Sequence, residues 1–570
     1  MDKILKYVKE DKIIHYIIIV AVSLIAAIPL ISLRIYGTDD GFIHLLRIIG
    51  TDNTIKDGIF PPLIQTHYAR GFGYAMNLFY GPIVTYGPLL FKTFCTHYYD
   101  CLKLFAFATI IISGFTMYNF LCEITKKREI AVIGAIIYIL IPYRLETIYN
   151  RFAIGEFSAY MFFPMLFHGL YNVINSDGKK NHYIIISAAG LILTHTISTE
   201  YSAIFAALYL ICHIRKLKNK EIWRKLIIDV VLILLVTSFY TIPIVEHKIN
   251  GNYIIFNSTS MRSLPEDVQN SALSPIQLVK DTIEPEGVDF NIGMPLIIFS
   301  IIGIVVASKI SDDYKDEYLN FILIAIISLF MSMKLFPWII MPQILTKLQF
   351  AWRMLSFFEF ALSIICAINL YTLIILISNN KEKLKTILVS LTIILVLISM
   401  SKVNYNYKYE SAKTLEDKQY EEIRINEKRL SIWSVNREYL PANCDYDYIE
   451  NRKLGTLVLS GEAEICDENE NGLSLEFNVK NAKEGTIVEL PYIYYLGYSA
   501  NMNDNGENKK IDTFESENGF VAIKIGENVE NAHIKIRYSG TILEKAGYVI
   551  SAVSILGIVC FEIFNKRKSK

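Results

Sequence analysis

Long runs of apolar residues alternate with short polar connections along most of the chain. A helix that crosses the hydrocarbon core of a bilayer needs roughly 20 largely apolar residues. The pattern therefore predicts an α-helical polytopic membrane protein with about twelve spans. The spans are expected at 12–33, 100–122, 129–146, 156–175, 182–196, 199–214, 226–246, 293–309, 317–335, 353–378, 384–401 and 543–564.

One apolar segment does not fit this series. Pro82 to Phe94 is short, and the dipeptides Gly81-Pro82 and Gly87-Pro88 interrupt it. Irregular backbone at membrane depth is tolerated only against protein or a water-filled cavity. We expect a re-entrant or interfacial segment here instead of a span.

Lysine and arginine are concentrated in the connections that we place in the cytoplasm, because basic loops remain on that side of a membrane. These connections are Lys126-Lys127-Arg128, Lys179-Lys180, Arg215 to Lys225, Lys381 to Lys385 and the tail Lys566-Arg567-Lys568. The protein is then expected to be a multi-pass protein of the plasma membrane with both termini in the cytoplasm.

The character of the chain changes between residues 402 and 541, where long apolar runs give way to Asn, Gly, Tyr and charged residues. Alternating segments separated by turn residues predict a small extracytoplasmic β-sandwich-like domain, inserted before the last span. Its strands are expected at Thr456–Ile465, Leu473–Val479, Gly485–Tyr495, Gly519–Ile525 and Ala532–Tyr538. The predicted organisation is a transmembrane module at 1–401, the β-rich domain at 402–541 and a final span with a basic tail at 542–570.

The tyrosines Tyr492, Tyr494, Tyr495 and Tyr498 of this domain have two interpretations: a glycan-binding face or the packing of strand faces, of which packing is favoured. Cys444 and Cys466 are the two cysteines of the region, and a disulfide and two free thiols are both open.

The composition agrees with this class. The 570 residues are 52% hydrophobic, and the mean hydropathy is +0.34. The formal net charge is zero and no basic cluster carries a recognition motif, so we expect no nucleic-acid partner. The sequence has no P-loop, dinucleotide-binding, nucleophile-elbow or His-Glu-x-x-His motif, which argues against ATP-driven transport and zinc proteolysis.

Two adjacent carboxylates, Asp39 and Asp40, follow the first span, at the point where the chain should leave the membrane. If the chain is helical from Asp39 onward, Asp40, His44 and Arg47 share one face. The simpler interpretation is helix capping by Thr38 or Asp39. Capping needs only one carboxylate, so the second favours a general base or two ligands of a divalent cation.

Three further polar clusters lie at predicted outer ends of spans. One contains Arg144, Arg151 and Glu156, and arginine suits bidentate contact with phosphate. An Arg–Glu pair that caps two helix ends is the alternative. His195 and Glu200 form the second cluster, where a hydrogen-bonded structural histidine is the alternative. Arg353 follows Trp352 in the third, and this pair is often only a membrane anchor.

The order and spacing of these motifs resemble those of the GT-C superfamily of membrane glycosyltransferases, in particular the YfhO-like bacterial branch. The motifs are Asp-Asp-Gly-Phe-Ile-His-Leu-Leu-Arg, Tyr-Arg-Leu-Glu-Thr-Ile-Tyr-Asn-Arg-Phe-Ala-Ile-Gly-Glu, Leu-Thr-His-Thr and Gln-Phe-Ala-Trp-Arg, and the resemblance covers nearly the whole chain.

The resemblance implies transfer of a sugar from a polyprenyl-phosphate donor on the extracytoplasmic face, with inversion. Asp39 or Asp40 would be the base, or both would hold Mg²⁺ or Mn²⁺. Arg144, Arg151 and Arg353 would stabilise the departing phosphate, and His44, Arg47, Glu156, His195 and Glu200 would bind substrate. The acceptor would be a cell-envelope glycan, a teichoic-acid-like polymer or a lipid.

Two functions of other classes remain open. The same charges would line a route in a lipid or polysaccharide transporter or flippase, although transporters usually bind their substrates near the midplane of the membrane. A non-enzymatic cell-envelope assembly protein would present the β-rich domain to cell-wall polymers.

Overall fold

The computed structural model describes residues 12–175, 182–257, 259, 261–279, 290–379, 381–405, 418–419, 421–422, 429–430, 437–504 and 506–568. Helices make up most of this part of the chain, and its β-strands all lie between Leu457 and Tyr538.

Each predicted span coincides with a helix or with a pair of consecutive helices. They are Lys12–Ser32, Tyr98–Thr125, Arg128–Leu140 with Pro142–Tyr149, Ile154–Ala159 with Phe163–Asn175, His182–Ile192, Thr196–Cys212, Lys220–Asn250, Met294–Val306, Asp312–Ser332, Leu355–Ser378, Glu382–Tyr405 and Ile542–Lys568. Shorter helices are Gly41–Lys56, Met76–Phe79, Pro82–Leu89, Pro265–Asn270, Gln343–Thr346 and Tyr446–Asn451.

Among the described residues, seven helical stretches are long and apolar enough to cross a membrane on their own. They are Lys12–Ser32, Tyr98–Thr125, Arg128–Tyr149, Lys220–Asn250, Ala351–Ser378, Glu382–Met400 and Ile542–Phe561. Three shorter apolar helices accompany them at His182–Ile192, Thr196–Cys212 and Met294–Lys309. The protein is a polytopic α-helical membrane protein, as the hydropathy pattern predicts.

The predicted span 129–146 is interrupted by a proline. The residue before a proline is disfavoured in the α region, and Ile141 is extended, at φ −64° and ψ 137°. Pro142 then occupies the first position of the helix Pro142–Tyr149, where its missing N–H costs nothing. The break gives Tyr143 and Arg144 a short helix of their own.

The segment that we expected to be re-entrant or interfacial is not a span. It contains the helix Pro82–Leu89 and the 3₁₀ turn Leu90–Thr93. Eight residues of helix rise only about 12 Å, which is far less than the thickness of the hydrocarbon core.

The C-terminal strands form two antiparallel sheets. The strands are β1 Leu457–Ser460, β2 Glu464–Asn471, β3 Ser474–Ala482, β4 Ile487–Ile493, β5 Tyr498–Asp504, β6 Glu507–Ile511, β7 Thr513–Glu515, β8 Phe520–Lys524 and β9 Val529–Tyr538. One sheet has the order β1-β4-β8-β7, and the other has the order β2-β3-β9-β5-β6. The predicted β-rich insertion before the last helix is confirmed. The single strand expected at Thr456–Ile465 is divided into β1 and β2, and β5, β6 and β7 were not expected.

Three of these four tyrosines pack against other aromatic rings. Tyr492 and Tyr495 are fully buried, and Tyr498 is nearly so. The rings of Tyr492 and Tyr498 stack at 5.6 Å. Packing is therefore the correct interpretation for these three residues, and they offer no open face to a glycan.

The thiols of Cys444 and Cys466 are both free. Cys444 Sγ lies 3.6 Å from the carbonyl oxygen of Gly519, and Cys466 Sγ lies 3.7 Å from that of Asn478. The alternative of a disulfide between them is not realised.

The chain divides into two compact units, each built from separate stretches. The first contains Met1–Phe42, Leu90–Ile233 and Arg262–Asp417, and the second contains Ile43–Leu89, Leu234–Met261 and Lys418–Lys570. The division at 401 and 541 stays a prediction.

Candidate functional site

Thr38 caps the N-terminus of the helix Gly41–Lys56. Its hydroxyl accepts a hydrogen bond from the Gly41 N–H at 3.1 Å and donates to the carbonyl oxygen of Ile35 at 2.7 Å. The helix begins at Gly41, so Asp39 and Asp40 precede it and the helical face expected from Asp39 onward is not formed. Neither carboxylate is needed as a cap.

Main-chain hydrogen bonds hold the two aspartates in place. The Asp39 N–H donates to the carbonyl oxygen of Asn150 at 3.2 Å, and the Asp40 N–H donates to that of Arg151 at 2.8 Å. Among the described residues, neither side-chain carboxylate accepts a hydrogen bond; their interactions are electrostatic. The main chain is therefore fixed, while both carboxylates can still accept hydrogen bonds from other groups.

Glu156 is the centre of a buried charged cluster. Arg151 Nη1 donates to Glu156 Oε2 at 2.9 Å, and the Tyr143 hydroxyl donates to Oε1 at 2.6 Å. Arg353 Nε lies 3.5 Å from the same Oε2. Glu156 is only 1% exposed and both arginines are 6% exposed. One carboxylate thus holds two guanidinium groups side by side.

Arg353 keeps unused capacity to donate hydrogen bonds. Its Nη1 donates to the carbonyl oxygen of Leu348 at 2.8 Å and to Gln349 Oε1 at 2.9 Å, and its guanidinium lies 5.0 Å from the centre of the Phe350 ring. Its Nε is buried without a hydrogen-bond partner. A buried donor without a partner is unfavourable, and an entering acceptor would satisfy it.

Backbone conformations that non-glycine residues rarely adopt occur beside both arginines. Phe152 has φ 48°, and Gln349 has φ 66°. Such strained residues cluster at functional sites, where surrounding contacts hold them. Phe152 is fully buried and contacts Phe157 edge-on.

The electrostatics distinguish the carboxylates of the cluster. Burial raises the pKa of Asp40 above its ordinary value of 3.8, although Arg151 and Arg353 lower it. Burial also raises the pKa of Asp39, against the effect of Arg151. Glu156 instead pairs directly with Arg151 at 2.9 Å and with Arg353 at 3.5 Å, and these contacts favour its ionised form. Glu156 is therefore a permanent anion, and Asp40 is the better proton acceptor.

His195 caps the helix Thr196–Cys212 and lies within electrostatic range of the same groups. Its Nδ1 is 2.7 Å from Ser198 Oγ. Burial and the nearby arginines Arg353 and Arg151 lower the pKa of His195 to about 3, against the effect of Glu156. The imidazole is neutral at physiological pH.

Glu359 and Tyr143 are site residues that the sequence analysis missed. The Tyr143 N–H is 3.1 Å from both carboxylate oxygens of Glu359. Glu359 therefore anchors the start of the helix Pro142–Tyr149, which is followed by the two carbonyl groups that bind the aspartates. An ionisable residue inside the apolar run Leu355–Ser378 is the signal that identifies it.

Two predicted site residues lie away from this cluster. Arg144 is fully buried and directs Nη2 at the Thr109 carbonyl oxygen and at Ser113 Oγ, at 3.2 and 3.1 Å. Its guanidinium thus bonds the neighbouring helix, which corrects the expectation that it faces a phosphate. Glu200 interacts electrostatically with Lys347 instead of with the arginines.

His44 and Arg47 belong to the second unit. Arg47 Nη1 donates to His44 Nδ1 at 2.9 Å, and its guanidinium stacks 3.6 Å over the ring of Tyr80. Both residues are buried. They share one face of the helix Gly41–Lys56, as predicted from their spacing, and their contribution to substrate binding stays a prediction.

No group of three or more His, Cys, Asp or Glu side chains in the described part of the chain is arranged to hold a metal ion. Asp39 and Asp40 are a pair of oxygen donors only. Mg²⁺ is commonly bound by one or two carboxylates together with water and substrate phosphate, and a cation site at Asp39 and Asp40 stays a prediction.

Comparisons with known proteins give three findings. No family model matches the chain. An uncharacterized protein of Lactococcus lactis subsp. cremoris (strain MG1363) is 28% identical over 257 residues, which are 44% of this chain and 42% of that protein. Among solved structures, the archaeal oligosaccharyltransferase AglB from Archaeoglobus fulgidus, in complex with an inhibitory peptide and a dolichol-phosphate, is similar with a TM-score of 0.39. The identity is 11%, and the match covers 72% of this chain and 59% of that one.

Proposed function

We propose that the protein is a GT-C-type membrane glycosyltransferase that moves a sugar from a polyprenyl-phosphate donor to a cell-envelope acceptor. The observation that carries the proposal is the Asp40 carboxylate, which accepts no hydrogen bond from the described residues and is influenced by two arginines that Glu156 holds together. A proton acceptor and a phosphate-binding pair are the two groups that such a transfer needs.

In the proposed reaction, the oxygen of an acceptor hydroxyl attacks the anomeric carbon of the donor sugar. A new glycosidic C–O bond forms, and the bond between the anomeric carbon and the phosphate oxygen breaks. The hydroxyl proton passes to the Asp40 carboxylate, and the bonding electron pair leaves with polyprenyl phosphate. One displacement at this carbon inverts its configuration.

The arrangement of charges links proton uptake by Asp40 to the departure of the phosphate. Arg151 and Arg353 both interact electrostatically with the Asp40 carboxylate in the resting protein. When Asp40 takes up the proton, its negative charge disappears as charge develops on the departing phosphate. The arginines are already in position, so they stabilise the new charge with little reorganisation.

A divalent cation fits the proposal without being required by it. Mg²⁺ or Mn²⁺ would be held by Asp39 and Asp40, and would supply positive charge next to the donor phosphate. Glu156 would not compete for it, because its oxygens are occupied by Arg151 and Tyr143.

The proposal places the reaction on the extracytoplasmic face. It follows from the basic connections assigned to the cytoplasm, which put the start of the helix Gly41–Lys56 on the opposite side. The acceptor class is a surface glycan, a teichoic-acid-like polymer or a lipid, since these carry hydroxyl groups on that side.

The direct test is donor turnover by the purified full-length protein in lipid nanodiscs. A panel of polyprenyl-phosphate sugars is supplied with an envelope extract, and mass spectrometry measures free polyprenyl phosphate. We expect release with one sugar and none without the extract. Movement of an intact donor across proteoliposomes, with no release, would contradict the proposal and favour a transporter.

A further inference from the structure

The first turn of the helix Thr196–Cys212 fixes the hydrogen bonds of His195. Its Nδ1 lies 3.3 Å from the Ser198 main-chain nitrogen and 2.7 Å from Ser198 Oγ. Ser198 Oγ in turn lies 2.6 Å from the hydroxyl oxygen of Tyr201. Ser198 and Tyr201 are fully buried, so these hydrogen bonds are sheltered from water.

The main-chain N–H of Ser198 fixes which groups donate and which accept in this series of hydrogen bonds. An amide N–H can only donate, so Nδ1 must present its lone pair to Ser198. The Ser198 hydroxyl is then free to donate to Nδ1 as well, while it accepts from the hydroxyl of Tyr201. A neutral imidazole with an unprotonated Nδ1 carries its proton on Nε2.

Nε2 is the nitrogen that remains for another partner. Among the described residues it forms no hydrogen bond, and His195 as a whole residue is half-buried. The charged groups that act on the ring are Arg353, Arg151 and Glu156. The positive end of a helix and two guanidinium groups all oppose a second proton on the ring.

We propose that His195 is a neutral hydrogen-bond donor of the site, whose Nε2–H binds a phosphate oxygen of the lipid-phosphate substrate beside Arg151 and Arg353. The inference rests on the proposed lipid-phosphate chemistry and deepens it. A neutral donor stabilises a developing anion without giving up its proton, and therefore works unchanged over a wide pH range. The same use of a neutral histidine at a helix N-terminus is known from triosephosphate isomerase.

Helix capping alone is the competing explanation, and two variants separate it from the donor role. In His195→Asn, the amide oxygen takes the place of Nδ1 and keeps the cap, but no N–H reaches the position of Nε2. In His195→Gln, the longer amide reaches that position with an N–H but serves the cap less well. If His195 acts as a donor, His195→Gln should bind farnesyl phosphate more tightly than His195→Asn. If His195 is only a cap, His195→Asn should bind it more tightly than His195→Gln.

The test uses full-length protein in nanodiscs and farnesyl phosphate as the probe, with inorganic phosphate as the second arm. We expect His195→Asn to weaken farnesyl phosphate binding ~10-fold or more, as for loss of a hydrogen bond to a charged group, and His195→Gln to stay within about threefold of the parent. Farnesyl phosphate should bind far more tightly than inorganic phosphate. Equal affinity of His195→Asn and the parent, or a larger loss in His195→Gln, would overturn the inference.

A second readout does not depend on sugar transfer. Nitrogen NMR of protein labelled in histidine, with His195→Asn used to assign the signal, reports which ring nitrogen carries the proton. We expect a protonated Nε2 and a bare Nδ1 from pH 5 to pH 8. A protonated Nδ1, or a ring that titrates in this range, would overturn the inference even if Asp40-dependent transfer were demonstrated. If the spectrum is as expected but the protein transfers no sugar, only the proposed function is overturned.

Discussion

The Asp40 N–H donates to the carbonyl oxygen of Arg151 at 2.8 Å, and both residues belong to the first compact unit although they lie far apart in the sequence. This hydrogen bond ties the loop that carries the proposed base to the loop that carries a proposed phosphate ligand. Because it uses only main-chain atoms, side chains at either position can be replaced without removing it. Each group can therefore be tested separately.

The transfer rate should depend on pH through Asp40. Burial raises the pKa of Asp40 above its ordinary value of 3.8, and only the deprotonated carboxylate accepts a proton. The rate should therefore fall as the pH is lowered, with a midpoint above 3.8. Initial rates measured from pH 4 to pH 8 with a saturating donor provide the check. A rate that stays flat down to pH 4 would speak against Asp40 as the base.

Glu156→Gln should destabilise the protein strongly. The substitution removes the anion that Arg151 and Arg353 share, and breaking a buried pair typically costs about 3–5 kcal/mol. The melting temperature in nanodiscs measures the loss. Glu123→Gln is the matched control, because Glu123 forms an exposed pair with Lys126 and its loss should cost at most about 1 kcal/mol.

Arg353→Lys should weaken binding of farnesyl phosphate by ~10-fold or more, because a lysine loses the fork of donors that suits phosphate. Arg144→Lys is the control: Arg144 bonds the main chain of its own bundle, so its replacement should lower the melting temperature and leave the affinity of the folded protein unchanged. Isothermal titration of both variants decides between these expectations. A larger loss of affinity in Arg144→Lys would reverse the assignment.

Hydropathy identified the helices well, since each predicted span coincides with a helical segment. It failed where a single residue decides the backbone. Pro142 splits one predicted span into two helices, and the turn that follows contains Phe152 at positive φ. Short strands such as Glu507–Ile511 and Thr513–Glu515 carry few apolar residues, so periodicity could not identify them.

The sequence predicted which loops carry the charged cluster but not the orientation of every side chain. Asp40, Arg151, Glu156, His195 and Arg353 were all expected, and the structure brings them together. Arg144 follows Tyr143 in the same short helix, yet the two side chains have different partners. Residues adjacent in a helix point about 100° apart, and only the packing of neighbouring helices decides which one faces the site.

The most direct test of the account is sugar transfer by Asp40→Asn, compared with the parent, Asp39→Asn and the control Asp52→Asn. Asp52 pairs at 2.7 Å with Lys56, which is exposed, so its replacement should leave the rate unchanged. Asp40→Asn should reduce turnover about 100-fold or more, as for loss of a general base, while farnesyl phosphate still binds. Full turnover by Asp40→Asn would contradict the account.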